Sequence, residues 1–339
     1  MHVIGLDVGG ANIKAADADG RAVSRPFAIW KGPQRLASAL AEALSRFDKA
    51  DAVAVTMTAE LADCFRTKAE GVHAVLLAVE EAARGAAVLV WQTAGEFVPP
   101  DVAREIPRLV AAANWHALAT WAGRIAPDGA ALLLDVGTTT ADVIPLLDGA
   151  PVSRGLTDVE RLQAGELVYT GVRRTPLCAV AHSVPFRDGY CPLAAELFAT
   201  TLDVHLLLGD IPEDPRDVDT ANGRPATVEH ARDRLARMLC GDRTEIGDDE
   251  LERIARFLAD VQRRRIAGAV ERVLIAQQAD CRHAVLSGSG TFLAERVVAG
   301  LPRLRGIART RLADALAPEL AEAACAFAVA RLAAEIVAQ

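Results

Sequence analysis

A duplicated acidic turn constrains the fold of this chain more than any other feature. Residues 4–20 (IGLDVGGANIKAADADG) and residues 132–149 (LLLDVGTTTADVIPLLDG) each contain an apolar run, an Asp-Val-Gly, a small polar turn, a second apolar run and an Asp-Gly. The first aspartates of the two copies, Asp7 and Asp135, lie 128 positions apart, and the last aspartates lie 129 positions apart. Because only one residue of slippage separates the copies, we interpret them as one structural unit used twice.

Each copy is suited to hold a phosphate group. Glycine in the turn permits positive φ and a close approach of ligand to backbone, and concave clusters of backbone amides bind phosphate oxygens. Asp7 and Asp135 would face the same phosphate, which is repulsive unless a cation such as Mg²⁺ lies between them. The pair therefore predicts a diphosphate clamp in which both aspartates hold Mg²⁺; for either turn alone, an ordinary hairpin is the alternative. The predicted phosphate ligands are Gly9, Gly10, Asn12, Gly137, Thr138, Thr139 and Thr140.

Composition favours a folded protein that acts on small molecules. The 339 residues suit two domains, and 51% hydrophobic with 24% charged residues is typical of a folded globular chain. A net charge of -8 argues against binding nucleic acid or an anionic membrane through a broad basic surface. We expect small-molecule partners, no nucleic acid and no membrane, and a homo-oligomer is left open.

The sequence also favours a cytoplasmic location. Its first ten residues, MHVIGLDVGG, lack the basic and apolar regions of a signal peptide. No apolar run approaches the roughly 20 residues that a membrane-spanning helix requires. The six cysteines are scattered and form no CxxC pair, so we expect reduced thiols.

Strands and helices alternate along the chain, which predicts an α/β architecture. Valine-rich runs and helical spacing of apolar residues distinguish the two types of element. Strands are predicted at 2–8, 12–18, 51–57 and 86–93, with helices at 33–47, 71–84 and 105–125. Further helices are predicted at 191–209, 228–240 and 248–278, with a strand, a glycine-rich turn and a helix at 283–300 and one or two alanine-rich helices from about 309.

The paired turns resemble the two phosphate signatures of the superfamily of acetate and sugar kinases, Hsp70 and actin. Ser287, Gly288 and Gly290, in a turn between a strand and a helix, are similar to its third, nucleotide-side signature. The resemblance implies an α/β fold of two RNase H-like lobes with the ligand in the cleft between them. It also implies that the final helices return to the first lobe.

This resemblance suggests a division of the chain into domains. The first lobe is expected to cover residues 1–129 and the second residues 130–309, with helices of about 310–339 packing back on the first. Residues 211–227 are dense in Pro, Asp and Gly and are expected to form a long mobile loop within the second lobe.

Several longer motifs narrow the resemblance from a superfamily to a family. They are GLDVGGANIK (5–14), TMTAELADCF (56–65), NWHALA (114–119), LDVGTTTADVIP (134–145), TDVERLQAGELVYTGVRRTP (157–176) and ELFATTLDVHLLLG (196–209). Together they resemble the hydantoinase/oxoprolinase-like proteins of tetrahydromethanopterin and methanofuran biosynthesis, from residue 4 to about residue 295. That family includes an archaeal synthase that joins an aminomethylfuran diphosphate to γ-glutamyltyramine, and bacterial relatives linked to one-carbon transfer in methylotrophs.

The resemblance implies a transferase that makes an aryl ether and releases diphosphate. A phenol oxygen attacks a furan-CH₂ carbon, so the leaving group needs charge neutralisation more than a covalent partner. Asp7 and Asp135, with Mg²⁺, are the first candidates for this task. Lys14 shares a strand face with Asn12 by two-residue alternation and would add positive charge if it points inward; a solvated lysine is the alternative.

Phenol attack also requires a base. Glu60 follows the strand at 51–57, where a carboxylate can project into a cleft; the alternative is a glutamate at a helix N-terminus, capped by Thr58. Asp142 occupies the position of the second copy that corresponds to Lys14, and it is open as a base, a metal partner or one side of an ion pair. Arg173 and Arg174 are candidates to bind phosphate or the γ-glutamyl carboxylate, with a surface pair as the alternative.

Other functions fit the same fold. An ATP-dependent kinase would turn over ATP, and a non-catalytic nucleotide-binding partner protein would bind it without turnover. A hydantoinase or oxoprolinase subunit would normally be a much longer chain. Because paired turns suit a diphosphate substrate and the two terminal phosphates of ATP equally, these alternatives stay open at this point.

Overall fold

Two mixed β-sheets form the framework of the protein in the computed structural model, which describes residues 1–337. The strands are β1 (Val3–Val8), β2 (Asn12–Asp17), β3 (Ala22–Pro26), β4 (Ala52–Met57), β5 (Ala87–Trp91), β6 (Phe97–Val98), β7 (Ala130–Val136), β8 (Ala141–Leu147), β9 (Ala150–Pro151), β10 (Leu167–Val168), β11 (Ser183–Phe186), β12 (Gly189–Pro192), β13 (His283–Ser287) and β14 (Ala308–Arg311).

Helices cover the sheets and connect their strands. They are α1 (Leu36–Leu44), α2 (Lys68–Ala83), α3 (Pro100–Glu105), α4 (Pro107–Val110), α5 (Asn114–Ala122), α6 (Asp158–Ala164), α7 (Leu177–Val180), α8 (Thr201–Leu207), α9 (Val228–Arg237), α10 (Asp248–Gln277), α11 (Thr291–Gly300), α12 (Leu312–Ala315), α13 (Pro318–Glu322) and α14 (Ala324–Val337). Within residues 1–337, no helix has the length and hydropathy needed to cross a bilayer.

The two sheets share one topology. The first has the order β3-β2-β1-β4-β5-β6, with β2 antiparallel and β4 parallel to β1. The second has the order β10-β8-β7-β13-β14, with β8 antiparallel and β13 parallel to β7. The strand that precedes each acidic turn, β1 or β7, therefore occupies the same central place in its sheet. This confirms the predicted two-lobed fold, in which one α/β unit is duplicated.

Burial explains the sequence of the central strands. All six positions of β1 (VIGLDV) and of β4 (AVAVTM) are buried, because helices cover both faces of the sheet. A strand buried on both faces is apolar throughout instead of alternating. Asp7 is therefore an exception inside an apolar strand, and such a buried carboxylate requires a specific role.

Two alanine-rich helices, α5 and α14, pack on both lobes. In α5, Trp115 and Leu118 lie in the core of the second sheet, whereas Ala117 belongs to a cluster with Val3 of the first sheet. In α14, Ala324 and Ala328 join the second-sheet core, and other α14 residues, Val329, Leu332 and Ala333, join the first-sheet cluster. These two helices therefore hold the two sheets in a fixed relation.

Three predicted segments differ from the structure. The predicted helix at 191–209 is helical only in α8, because residues 183–192 pair as the β11–β12 hairpin and a capping box of Thr200 and Asp203 starts the helix late. The predicted helix at 105–125 is interrupted between α4 and α5, where Ala112 has a left-handed φ of 50°. The segment 157–176, where no helix is predicted from the sequence, contains α6, which a capping box of Thr157 and Glu160 begins.

Residues 211–227, expected to be a mobile loop, contain no helix or strand but have definite partners. An isolated bridge joins Asp214 to Ala226. Asp217 accepts a bond of 2.5 Å from Arg173, and Asn222 accepts one of 3.2 Å from the buried Arg234. The segment is therefore anchored to the second lobe at both its middle and its far side.

The close approach of α14 to β1 gives a test of this packing. A Cβ atom on Gly5 would overlap the carbonyl oxygen of Ala326 and lie 2.8 Å from the amide nitrogen of Ala330. We expect Gly5→Ala to lower the free energy of unfolding by about 2 kcal/mol, because the helix must move off the sheet. Chemical denaturation measures this change.

Gly189→Ala is the matched control. A Cβ atom at Gly189 meets nothing within 4 Å, and its φ is not left-handed. We expect a change within about 0.5 kcal/mol there. Equal stability of the two variants would show that α14 does not rest on β1 as described.

Candidate active site

The two acidic turns have the same backbone geometry. The Gly9 amide donates to the carbonyl of Asn12 at 2.9 Å, and the Gly137 amide donates to the carbonyl of Thr140 at 2.8 Å. Gly9 and Gly137 are 128 positions apart, as are Asn12 and Thr140. The duplication seen in the sequence is therefore also a duplication of hydrogen bonding.

A second segment of the chain covers each turn and binds its carbonyl groups. The Ile29 amide donates to the Gly10 carbonyl at 3.0 Å in the first turn. In the second, the amides of Arg173 and Arg174 both donate to the Thr138 carbonyl at 3.0 Å. The backbone amides of the turns are oriented differently: among residues 1–337, those of Gly10, Thr138 and Thr139 have no hydrogen-bond acceptor. Unpaired amides of this kind suit an anionic ligand.

Asp7 and Asp135 lie near the ends of β1 and β7. They are close enough for the negative charge of Asp7 to add to the rise in the pKa of Asp135. Asp7 is only 9% exposed, and the Oδ1 atom of each carboxylate is buried without a hydrogen-bond partner in the described chain. Burial raises the pKa of Asp7, which the charge of Lys14 partly offsets. Burial, followed by repulsion from Asp142, raises the pKa of Asp135 to about 7. The two carboxylates therefore lack sufficient positive charge around them.

These features fit a divalent cation. Hard cations such as Mg²⁺ prefer carboxylate oxygens, and they are bound by one or two carboxylates together with substrate phosphates. Asp7 and Asp135 offer one unpartnered oxygen each. The donor set is therefore adequate for a magnesium ion shared with a phosphate ligand.

Lys14 and Asp142 stand opposite the two aspartates in the neighbouring strands. Lys14 pairs with Asp7 between β1 and β2, and Asp142 pairs with Asp135 between β7 and β8. The Lys14 ammonium donates to the carbonyl of Glu322 at 2.7 Å, and its charge lowers the pKa of both Asp7 and Asp135. Lys14 therefore points toward the acidic pair and not into bulk solvent.

Asp142 is engaged in a buried ion pair. The Nη2 of Arg161 donates to Asp142 at 2.7 Å, and Arg161 is 1% exposed, with its guanidinium 3.9 Å above the ring of Trp115. Of the roles open from the sequence, this geometry favours the ion pair over a free base. The repeated position thus carries an ammonium bound to a backbone carbonyl in one lobe and a neutralised carboxylate in the other.

Glu60 lies in the short 3-10 helix Ala59–Leu61, directly after β4. It is 1% exposed, and its Oε2 atom has no hydrogen-bond partner in the described chain. Burial raises the pKa of Glu60 to about 7, Lys68 and the Ala112 amide offset part of the rise, and Asp158 adds to it. Thr58 is the N-cap residue of this helix and Glu60 lies in its first turn, as in the helix-terminus alternative, but the Thr58 side chain makes no capping hydrogen bond.

An ion pair between the lobes flanks Glu60. The ammonium of Lys68, at the start of α2, lies 2.8 Å from the carboxylate of Asp158, at the start of α6. Glu60 is close to the first phosphate turn as well, because the Thr58 amide donates to the carbonyl of Val8 at 2.9 Å. A carboxyl group with a pKa near 7 at this position can accept a proton at neutral pH.

The Ser-Gly-Ser-Gly turn supports Asp135. Ser287 pairs with Asp135 between β13 and β7, and its hydroxyl offsets part of the rise in the pKa of that carboxyl. A Cβ atom on Gly288 would lie 2.5 Å from Oδ1 of Asp135, and the amide of Gly290 donates to the carbonyl of Val136 at 2.8 Å. Only glycine allows the turn to approach the carboxylate this closely.

The two predicted arginines have different surroundings. Arg173 forms an ion pair with Asp217 of the 211–227 loop at 2.5 Å. Arg174 is exposed, and its Cζ atom lies 5.7 Å from the ring centroid of Trp30, which belongs to the first lobe. The structure therefore brings Arg174, but not the side chain of Arg173, into contact with the facing lobe.

Several residues near the site carried no sequence signal of their own. These are Trp30, Lys68, Asp158, Arg161 and Cys325. Burial raises the pKa of the Cys325 thiol well above its usual range, and Asp7 and Asp135 add to the effect. Arg161 lies 19 positions from its partner Asp142, and Lys68 lies 90 positions from Asp158. Because these contacts join separate elements, only the packing of those elements brings the residues to the site.

Comparison with known proteins identifies the family of this chain. The hydantoinase/oxoprolinase family matches residues 51–336. The γ-L-glutamylaminoethyl-phenoxymethyl-furanyl methanamine synthase of Methanocaldococcus jannaschii is 37% identical over 254 residues, which cover 74% of this chain and 75% of that protein. The synthase of the same name from Methanococcus vannielii is 40% identical over 124 residues, covering 37% of this chain and 55% of that protein.

A solved structure supports the fold. The nucleotide-free structure of acetone carboxylase is similar over 94% of this chain and 51% of that chain, with a TM-score of 0.50 and 13% identical residues. At this identity the likeness concerns the fold alone. The family match covers most of the chain and includes the residues from Glu60 to Cys325 described above. The protein therefore belongs to the hydantoinase/oxoprolinase family.

Proposed function

We propose that this protein is a transferase that forms an aryl ether. In the proposed reaction, the phenol oxygen of γ-glutamyltyramine attacks the CH₂ carbon of an aminomethylfuran diphosphate, the C–O bond to the diphosphate breaks, and diphosphate leaves. The similar archaeal synthases support this assignment, since a phenoxymethyl-furan product is an aryl ether of this type. The reaction belongs to methanofuran and tetrahydromethanopterin-linked one-carbon metabolism.

One observation carries the proposal: the two turns are equivalent and both are prepared for an anion. Within residues 1–337, the first turn contributes the unpaired amide of Gly10, the second those of Thr138 and Thr139, and each turn has a carboxylate with an unpartnered oxygen. A single phosphate would require only one such turn, whereas a diphosphate has two phosphate groups to bind. The geometry therefore suits a ligand in which two linked phosphates bridge the cleft.

Asp7 and Asp135 would hold Mg²⁺, and Gly9, Gly10, Asn12 and Gly137 to Thr140 would surround the phosphates. When bound, the ion would neutralise charge on the departing diphosphate. Lys14 contributes a fixed positive charge beside Asp7 from the neighbouring strand. Because the side chains are held by the sheet before the ligand arrives, little reorganisation is needed during the reaction.

Glu60 is the proposed base. Its carboxylate takes the phenol proton as the oxygen attacks, and its pKa of about 7 places this transfer in the neutral range. Arg161 and Asp142 neutralise each other and join α6 to β8 in the second lobe, so they take no part in proton transfer. Ser287, Gly288 and Gly290 hold Asp135 in place.

The substrates in this proposal are small molecules in the cytoplasm. A net charge of -8 provides no broad basic surface for nucleic acid. A homo-oligomer is compatible with the site, because one chain supplies both turns. An ATP-dependent kinase of the same fold is the competing function, and the first experiment below separates the two.

We expect Asp7→Asn and Asp135→Asn each to reduce diphosphate release at least 100-fold. The reason is that each variant removes half of the proposed magnesium site. Release of diphosphate by the purified protein is measured with Mg²⁺, aminomethylfuran diphosphate and γ-glutamyltyramine, and phosphate release is measured with ATP alone.

Asp188→Asn, an exposed substitution in the turn of the β11–β12 hairpin, should retain wild-type activity. Turnover of ATP by the wild-type protein, with the furan diphosphate inert, would assign the clamp to a kinase. Full activity of either aspartate variant would remove that residue from the magnesium site.

We expect Glu60→Gln to reduce kcat about 100-fold, because the amide cannot accept the phenol proton. The wild-type kcat should fall below about pH 7 as Glu60 becomes protonated, and this limb should be absent from the residual activity of the variant. A limb that shifts with Mg²⁺ concentration would instead belong to Asp135. Glu81→Gln, an exposed change on α2, serves as the control.

Glu60 also predicts a pH-dependent stability. Its pKa is raised from 4.5 to about 7 on folding, so its favourable contribution is present below pH 4.5 and is lost as the pH rises through 7. Glu60→Gln should therefore be more stable than the wild type at pH 8, by about 3 kcal/mol, and equally stable near pH 4. Thermal unfolding at both pH values measures this, and a destabilised variant at pH 8 would contradict it.

A further inference from the structure

The segments that cover the two turns end in residues that meet across the cleft. Gly10 and Thr138 are equivalent positions of the repeat, and their carbonyls accept from the amides of Ile29 and Arg173, both at 3.0 Å. The residue after Ile29 is Trp30. By the same relation, the residue after Arg173 in the second lobe is Arg174.

Trp30 of the first lobe and Arg174 of the second lobe therefore face each other across the cleft. The Cζ atom of Arg174 lies 5.7 Å from the ring centroid of Trp30. The two lobes supply one residue each, and both residues are anchored next to a phosphate turn. Although the covering segments share no sequence, their position in each unit is the same.

This contact is open, in contrast to a second arginine–tryptophan pair in the protein. Arg161 lies 3.9 Å from the ring of Trp115, and both residues are buried. Trp30 is 41% exposed, Arg174 is also exposed, and no ion pair of Arg174 is found within residues 1–337. An exposed indole beside an unpaired guanidinium remains free to take a flat ligand.

We propose that Trp30 and Arg174 form the subsite for the aromatic ring of the diphosphate substrate. The furan ring would stack on the indole of Trp30, with the guanidinium of Arg174 over its other face. Stacking on an aromatic ring and on an arginine plane both favour a flat, electron-rich group. This subsite rests on the proposed function, since it takes a diphosphate bound at the turns as given.

The distance between the two residues agrees with a sandwich after a small opening. A ring held between two groups needs two contacts of about 3.5–4.0 Å, or roughly 7–8 Å in total. The present 5.7 Å separation is about 2 Å short of this. A change of rotamer at the exposed Arg174 side chain would supply it without any movement of the lobes.

The position favours the ring of the donor over the ring of the acceptor. In a furan-methyl diphosphate, one CH₂ group separates the ring from the phosphate, so the ring must lie close to the phosphate turns. The amide of Ile29, next to Trp30, donates to the Gly10 carbonyl, and the amide of Arg174 itself donates to the Thr138 carbonyl. The phenol of the acceptor is directed instead toward Glu60.

Equilibrium binding tests the subsite without turnover. Calorimetry with Mg²⁺ compares inorganic diphosphate with furan-2-ylmethyl diphosphate, in the absence of acceptor. We expect Trp30→Ala to weaken binding of the furan ligand about tenfold, as expected for loss of one stacked ring, while the affinity for inorganic diphosphate stays within twofold. Trp30→Phe should retain most of the affinity, and Arg174→Gln should weaken binding of the furan ligand more than binding of inorganic diphosphate.

Two exposed substitutions far from the turns serve as controls. Tyr190→Ala lies on the β11–β12 hairpin, and Arg256→Gln changes an arginine on α10 whose side chain is 68% exposed. Neither should alter binding of either ligand. Each control removes the same kind of group as its test variant, an aromatic ring or a guanidinium, but at a different place in the protein.

Three results obtained with the variants would overturn the subsite. They are equal weakening of both ligands by Trp30→Ala, no weakening of either, and a rise confined to the KM of γ-glutamyltyramine, which would assign the ring to the acceptor. A wild-type protein that binds neither ligand would overturn the proposed function and the subsite together. Wild-type binding of both ligands with equal affinity would overturn the subsite alone.

Discussion

The carboxylates of Asp7 and Asp135 face one cleft, each with a buried Oδ1 atom that has no hydrogen-bond partner within residues 1–337, and the arrangement around them follows from this. Burial raises the pKa of both groups, and the charge of Lys14 offsets only part of the cost. Buried charges without partners are expensive. The amides of Gly10, Thr138 and Thr139, which have no acceptor within residues 1–337, attract anions. A cation together with a phosphate ligand satisfies both sets of groups.

The distance between the two turns depends on helices that carry none of the phosphate motifs. α5 and α14 pack on both sheets, and their small side chains allow backbones to approach, as Gly5 does against Ala326. The segment before α14 also holds the Lys14 ammonium through the carbonyl of Glu322. The C-terminal part of the chain therefore sets the geometry of a site whose ligands come from the start of each repeat.

Local signals in the sequence were sufficient to predict an element where residues typical of turns or helix caps mark both of its ends. The helix predicted at 248–278 is α10 (Asp248–Gln277), and the strand predicted at 2–8 is β1 (Val3–Val8). The predicted helix at 191–209 was wrong in its first half, because hairpin pairing with β11 competes with helical propensity there. Similarly, the left-handed Ala112, whose amide faces Glu60, interrupts an apolar pattern that is otherwise helical.

The sequence by itself determined the duplication, the two-lobed fold and the identity of the acidic turns, because these depend on short segments repeated at a fixed spacing. Only the tertiary structure decided what surrounds them. The ion pair of Arg161 with Asp142, the burial that raises the pKa of Glu60, and the approach of Trp30 to Arg174 each join distant segments. Such contacts depend on how the lobes and the connecting helices pack, and packing leaves no periodic trace in the local sequence.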